Sequence, residues 1–197
     1  MPRKCDRSLN SHSLSKLQAL MLTAGLAVSS CLALTTPSQA IEPDVLGRLR
    51  SGDCSGCDLS GADLRRYDLS GVNLRQANLS NANLYRVKLD GADLSGADLR
   101  GAYMVNATAT EATFDSAQLD QATLFDSDFT GASLQGALFG RAYVEDSSFR
   151  YANLSEADLS EAILVSSNFE AAILCEAEMS YGDYRVNCPL EVDLLQD

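Results

Sequence analysis

The sequence predicts a solenoid of five-residue units, four to a coil, from three observations. Leucine recurs every five residues from Leu59 to Leu99, in a run that begins Cys57-Asp58-Leu59-Ser60-Gly61. The register never slips: positions ending in 4 or 9 stay apolar through Tyr184, 26 positions without an insertion. A superperiod of twenty also shows, because Phe129, Phe149 and Phe169 each follow a serine two residues earlier, at Ser127, Ser147 and Ser167. Period five fits neither the 3.6 of a helix nor the 2 of a strand, and self-similarity over so many units marks a repeat architecture. Each unit must turn a corner so that every fifth side chain meets a common axis. The slot two residues earlier is mostly Ala, with Tyr67 the misfit, and the slot just before the leucine is mostly Asp or Asn.

The leader comes first in the chain. Residues 1–40 carry Arg3, Lys4, Arg7 and Lys16, then an apolar run over 17–34, then Ser38-Gln39-Ala40. A basic start, an apolar middle and small residues at −3 and −1 describe a secretory signal peptide cleaved after Ala40. Two alternatives stay open. The run is just long enough to span a bilayer as an uncleaved anchor, and Val28-Ser29-Ser30-Cys31 resembles a lipoprotein site that would place a lipid on Cys31. With the leader removed, no integral membrane segment is expected.

Next, Glu42-Pro43-Asp44 followed by Val45, Leu46 and Leu49 reads as a short amphipathic helix ending at Gly52. Its apolar side would cover the open end of the solenoid, which would otherwise expose core and unpaired backbone. The expected organisation is a signal peptide at 1–40, a helical cap at 41–53, the repeat array at 54–186 and a C-terminal cap at 187–197.

The formal charge is −12, and the leader contributes four basic residues against one acidic, leaving −15 for the remainder. Residues 41–100 are near balance at −1, whereas 101–197 carry −14. That distribution argues against nucleic acid or an anionic membrane as a direct partner, since both need cationic surface. Four cysteines follow the leader, Cys54, Cys57, Cys175 and Cys188, at the two ends of the array. In an exported chain an even count suggests disulfides, and proximity favours Cys54–Cys57 and Cys175–Cys188. A redox-active Cys-x-x-Cys is the alternative, although Asp53 and Asp58 beside it would raise the thiol pKa.

The pattern A(D/N)Lxx over residues 54–186 resembles the pentapeptide-repeat family. The resemblance implies an all-β fold, a right-handed quadrilateral parallel β-helix of about six and a half coils here. Leu or Phe and the small residue two before it would point inward, and the other three side chains outward. The leader, the Cys-x-x-Cys-Asp-Leu-Ser-Gly entry and the regular repeats together resemble members from cyanobacteria and the chloroplast thylakoid lumen. The implied compartment is the periplasm or the thylakoid lumen.

Sorting outward residues by coil face singles out one. On the face built on Leu64, Leu84, Met104, Leu124, Val144 and Leu164 stand Tyr85, Tyr103, Val105, Phe125, Tyr143, Ile163 and Val165. Arg65, Arg66 and Arg86 lie toward one end, and Asp126, Glu145 and Asp146 toward the other. Such a stripe either stabilises neighbouring coils or forms an interface, and the interface is the expectation here. Its occupant is a protein partner of unknown identity, with a homodimer as one option. The aspartates before the leucines are spread over all faces, whereas calcium needs six to eight oxygens on one point. Corner hydrogen bonding is expected of them instead.

Catalysis finds little support. The only histidine, His12, lies in the leader, there is no tryptophan, and no Ser-His-Asp set, phosphate loop or metal motif occurs. No catalytic, cofactor or metal residue is assigned. The expectation is a non-catalytic scaffold in an extracytoplasmic compartment. The alternative, implied by family members that protect DNA gyrase from quinolones, is an acidic DNA-mimicking rod that binds a DNA-binding enzyme such as gyrase.

Overall fold

The computed structural model describes residues 41–180. The leader with Cys31, the last inward position Tyr184, and Cys188 with the C-terminal cap lie outside the described residues. Among the described residues no helix is long and apolar enough to cross a membrane.

Helix α1 spans Pro43–Ser51. Proline in its first turn suits backbone whose N–H has no helical partner. Gly52 ends it in the left-handed conformation, φ 84°, with its N–H bonded to the last carbonyls. Leu49 is buried in the core, and Ile41 and Val45 pack against it. Arg48 donates from Nη2 to the Ser55 carbonyl at 2.6 Å and so ties the helix to the first repeat.

From Asp53 onward each residue at the slot before the inward side chain pairs in parallel with the residue twenty later, as in Asp58↔Asn78↔Asp98. The coil is therefore four five-residue units. Most pairings are single bridges, but six short strands form where outward residues favour extended chain: β1 Tyr103–Val105, β2 Thr123–Phe125, β3 Tyr143–Glu145, β4 Asp158–Leu159, β5 Ile163–Val165 and β6 Glu178–Met179. They make a parallel sheet in the order β1-β2-β3-β5 and a second pair, β4-β6.

The inward column is buried throughout from Leu59 to Leu159. Alanines at the slot two before it line the same core. Tyr67 cannot fit that slot and is exposed instead. Phe129, Phe149 and Phe169 stack with ring centroids 5.0 Å apart and nearly parallel planes. Phe114, one unit after the small Ala109, meets Phe129 edge-on at 5.5 Å.

The serine slot beside these rings forms a ladder. Ser127 Oγ donates to the Met104 carbonyl and accepts from the Ala107 N–H. Ser147 Oγ repeats this with Leu124 and Ser127, and Ser167 with Val144 and Ser147. Cys54 occupies an inward position and Cys57 a small-residue slot, both buried, and they are disulfide-bonded. Cys175 is also disulfide-bonded.

Candidate interaction face

The sheet β1-β2-β3-β5 carries the apolar face. Before it, the same face is held only by the bridges Asp63↔Asn83 and Asn83↔Tyr103. Strands set in where Asp and Asn give way to Tyr, Thr and Ile, whose branched or aromatic side chains pack along a pleated surface.

Strand pairing puts the outward residues into straight columns. One runs Tyr103, Thr123, Tyr143, Ile163, and the next runs Val105, Phe125, Glu145, Val165, with Tyr85 one coil earlier. Tyr103 at 45 %, Tyr143 at 37 % and Ile163 at 56 % exposure present the apolar surface. Tyr85, Phe125 and Val165 are half-buried.

Val105 departs from the sequence expectation. It is only 8 % exposed yet belongs to no inward slot. Its column neighbours are Tyr85 and Phe125, and at that exposure it fills the face rather than presenting it. Leu138 and Tyr151, exposed on other faces, also show that outward apolar groups are not confined to this sheet.

A third column stands at the corner after the strands: Arg66, Arg86, Asn106, Asp126, Asp146, Ser166. All six residues are left-handed, with φ between 50° and 62°, so their side chains leave the backbone in the same sense. The column was open to sequence reading at every twentieth residue, but nothing in the sequence says that these positions share one conformation.

Charges at the two ends are held differently. Arg65 bonds to Asp63 through two nitrogens, and the Arg86 guanidinium lies 5.1 Å over the Tyr85 ring. Asp63, Arg65, Arg66, Tyr67 and Tyr85 line a shallow cleft of about 450 Å³. At the acidic end the Tyr143 hydroxyl donates to Glu145 Oε2. That bond raises the phenol pKa above its ordinary value of 10.0. On other faces Arg75, Lys88, Arg100, Arg141 and Arg150 each pair with a carboxylate, whereas Arg66 and Arg86 pair with none among the described residues.

The aspartates serve the corners. Oδ1 of Asp58, Asp68 and Asp98 accepts the N–H of the residue two further on, and Asn78 Nδ2 donates across the coil to Asp58. These bonds favour the charged carboxylate and lower its pKa. In Asp90 burial opposes ionisation, but donors from Thr110 and Thr108 outweigh it and the net shift is also downward.

The family described as Pentapeptide repeats matches in eight copies over residues 53–91, 88–126, 127–164 and 152–183. A pentapeptide repeat protein from the Arabidopsis thaliana thylakoid lumen is similar at 27 % identity, over 60 % of this chain and 72 % of that chain, with a TM-score of 0.40. A pentapeptide repeat protein, Rfr23, from the cyanobacterium Cyanothece 51142 is similar at 27 % identity, over 69 % of this chain and 97 % of that one, with a TM-score of 0.32. QnrB1, a plasmid-mediated fluoroquinolone resistance protein, is similar at 24 % identity, over 66 % and 72 % of the two chains, with a TM-score of 0.26. No curated protein matches the chain at a significant level.

Proposed function

The chain belongs to the pentapeptide-repeat family, and on that footing we propose that it is a scaffold that holds a protein partner on the β1-β2-β3-β5 face in an extracytoplasmic compartment. Members of the family are generally non-catalytic. The finer architecture we adopt is the family's right-handed quadrilateral β-helix, about six and a half coils long, with α1 covering its first end.

One observation carries the reading. In an array whose other outward slots are mostly polar, one four-stranded sheet sets Tyr103, Tyr143 and Ile163 in register and in solvent. A contiguous exposed apolar patch is the usual mark of an interface, and aromatic side chains supply most interface hot spots. Export to the periplasm or thylakoid lumen is supported by the composition of residues 1–40 and by the Cys54–Cys57 disulfide, since disulfides persist in oxidising compartments.

Affinity capture from the native compartment tests the reading, with wild type compared against a Phe125→Asp/Tyr143→Asp double variant. Neither residue occupies an inward slot, so loss of captured protein by a variant that still melts cooperatively is the expected result. Equal capture by both would refute it.

A second reading draws on the acidic half: the −14 of residues 101–197 supports a DNA-like surface for an enzyme such as gyrase. Gyrase supercoiling with and without the purified protein separates the two, because only mimicry inhibits it.

A further inference from the structure

The corner column reads Arg66, Arg86, Asn106, Asp126, Asp146, one residue per coil and all in one backbone conformation. Its charges are antisymmetric about Asn106: two positive, one neutral, two negative. A rotation that reverses the coil direction about an axis level with Asn106 and parallel to the strands keeps each column opposite itself. It would set Arg86 against Asp126 and Arg66 against Asp146, twice each.

The other two columns obey the same operation. Val105 would meet itself, Tyr85 would meet Phe125, and Arg65 would meet Glu145. In the remaining column Tyr103 would meet itself, Asn83 would meet Thr123, and Asp63 would meet the Tyr143 hydroxyl. No like-charged pair arises at any level, and Tyr103 is the exposed group at the centre, beside the nearly buried Val105. A slip by one coil in either direction leaves a single corner charge pairing, Arg66 with Asp126 or Arg86 with Asp146, in place of two.

We propose that the partner seated on this face is a second copy of the chain, docked antiparallel with its two-fold axis level with Asn106. The inference rests on the reading of this face as an interface and names its occupant. Self-complementarity of one patch under a two-fold is what an isologous dimer requires, and charge complementarity fixes register more than affinity. Arg66 and Arg86, which have no carboxylate partner among the described residues, gain one across the dimer. Five levels at about 4.8 Å spacing give a contact about 20 Å long, at the small end of specific interfaces. A reversible dimer in the micromolar range is expected.

The test is sedimentation equilibrium on the protein as the cell matures it. Wild type should dimerise, with affinity falling several-fold between about 0.05 and 0.5 M salt. Arg86→Glu alone and Asp126→Arg alone should each weaken the dimer at least tenfold, because each sets like charges together twice. Their equimolar mixture should regain wild-type affinity as a heterodimer, since each altered residue then meets its complement. Should either variant fail to fold, Arg66→Glu and Asp146→Arg make the same test at the outer pair. A wild-type monomer, single variants that dimerise like wild type, or a mixture of folded variants that stays monomeric would each overturn the proposal. A wild-type monomer leaves the scaffold reading to be decided by the Phe125→Asp/Tyr143→Asp capture.

Discussion

The first coils, residues 54–101, and the later ones, residues 102–180, bury the same kind of core but hold their coils together differently. In the early coils glycine fills six of the ten left-handed corner positions from 56 to 101, and outward Asp and Asn tie most corners, all but the one at Lys88, to their own backbone. In the later coils only Gly131 and Gly136 supply that freedom, and Glu111, Gln121, Tyr151 and Glu156 take the left-handed conformation instead. What compensates is contact between coils: the four-stranded sheet, the stacked phenylalanines and the serine ladder. Asp and Asn close turns in both halves, as at Asp128, Asn153 and Asp158, but only the later coils add stacked rings and a serine ladder, so substitutions should fail in different ways on the two sides.

The largest effect should come from the stack. Phe149→Ala removes the middle ring and leaves a cavity, at an expected cost of about 3–5 kcal/mol. The same truncation at Leu84, in the early half, should cost about 2–5 kcal/mol. Urea melts of the two variants compare them, and a Phe149→Ala loss under half that of Leu84→Ala would mean the ring column does not hold the later coils.

Ser147→Ala comes next. It strands the Ser127 N–H, which Ser147 Oγ accepts at 3.2 Å in a buried site. An unsatisfied buried donor costs about 1–3 kcal/mol. The same slot in the early coils holds Tyr67 and Val87, neither of which carries a ladder hydroxyl, and the ladder begins only at Ala107, whose N–H donates to Ser127. The hydroxyl is therefore needed only where the ladder has been built. Ser147→Cys, close in volume and a poor acceptor, should behave like the alanine variant in the same melt.

Corner substitutions sharpen the contrast further. Gly71 is left-handed with open space around its Cα, so Gly71→Ala should cost about 1 kcal/mol from backbone strain alone. Glu111→Gly relieves the same strain in the later half and should stabilise by about 0.5 kcal/mol once the greater chain freedom of glycine is counted. Thermal melts of the pair should move in opposite directions.

The smallest effect is with acid. Hydrogen bonds from Ser60, Arg65, Ser70 and Arg100 lower the pKa of Asp58, Asp63, Asp68 and Asp98 in the folded chain. Their stabilisation is fully present above the ordinary value of 3.8. It is lost as pH falls through the depressed folded values, because protonation then removes the acceptors. Stability should be flat above about pH 5 and drop below about pH 4. Asp98→Asn should shallow that drop, measured by urea midpoint against pH.

The coil was readable from the chain because its two signals are simple. Every fifth side chain is buried, and Phe129, Phe149 and Phe169 mark the distance between coils. The outward columns followed from that arithmetic, including the one through Tyr103 and Tyr143. Val105 escaped because the five-residue period places it outward, and burial by packing along an outward column is not written in that period. The left-handed backbone at Arg66, Glu111 and Tyr151 escaped for a different reason. None of these residue types prefers that conformation, and the coil imposes it.

The serine ladder bears on a hazard that belongs to any chain of near-identical units, which is loss of phase. A coil that closed one unit early or late would still bury a leucine at every inward slot and still find a backbone partner. Slipped that way, Ser147 would face Ala122 or Ala132 rather than Ser127, and Phe149 would lie on Leu124 or Leu134 rather than on Phe129. The hydroxyls and rings thus act as index marks. They distinguish one four-sided winding from its slipped copies where leucine alone cannot, and they do so in the coils that carry the interaction face.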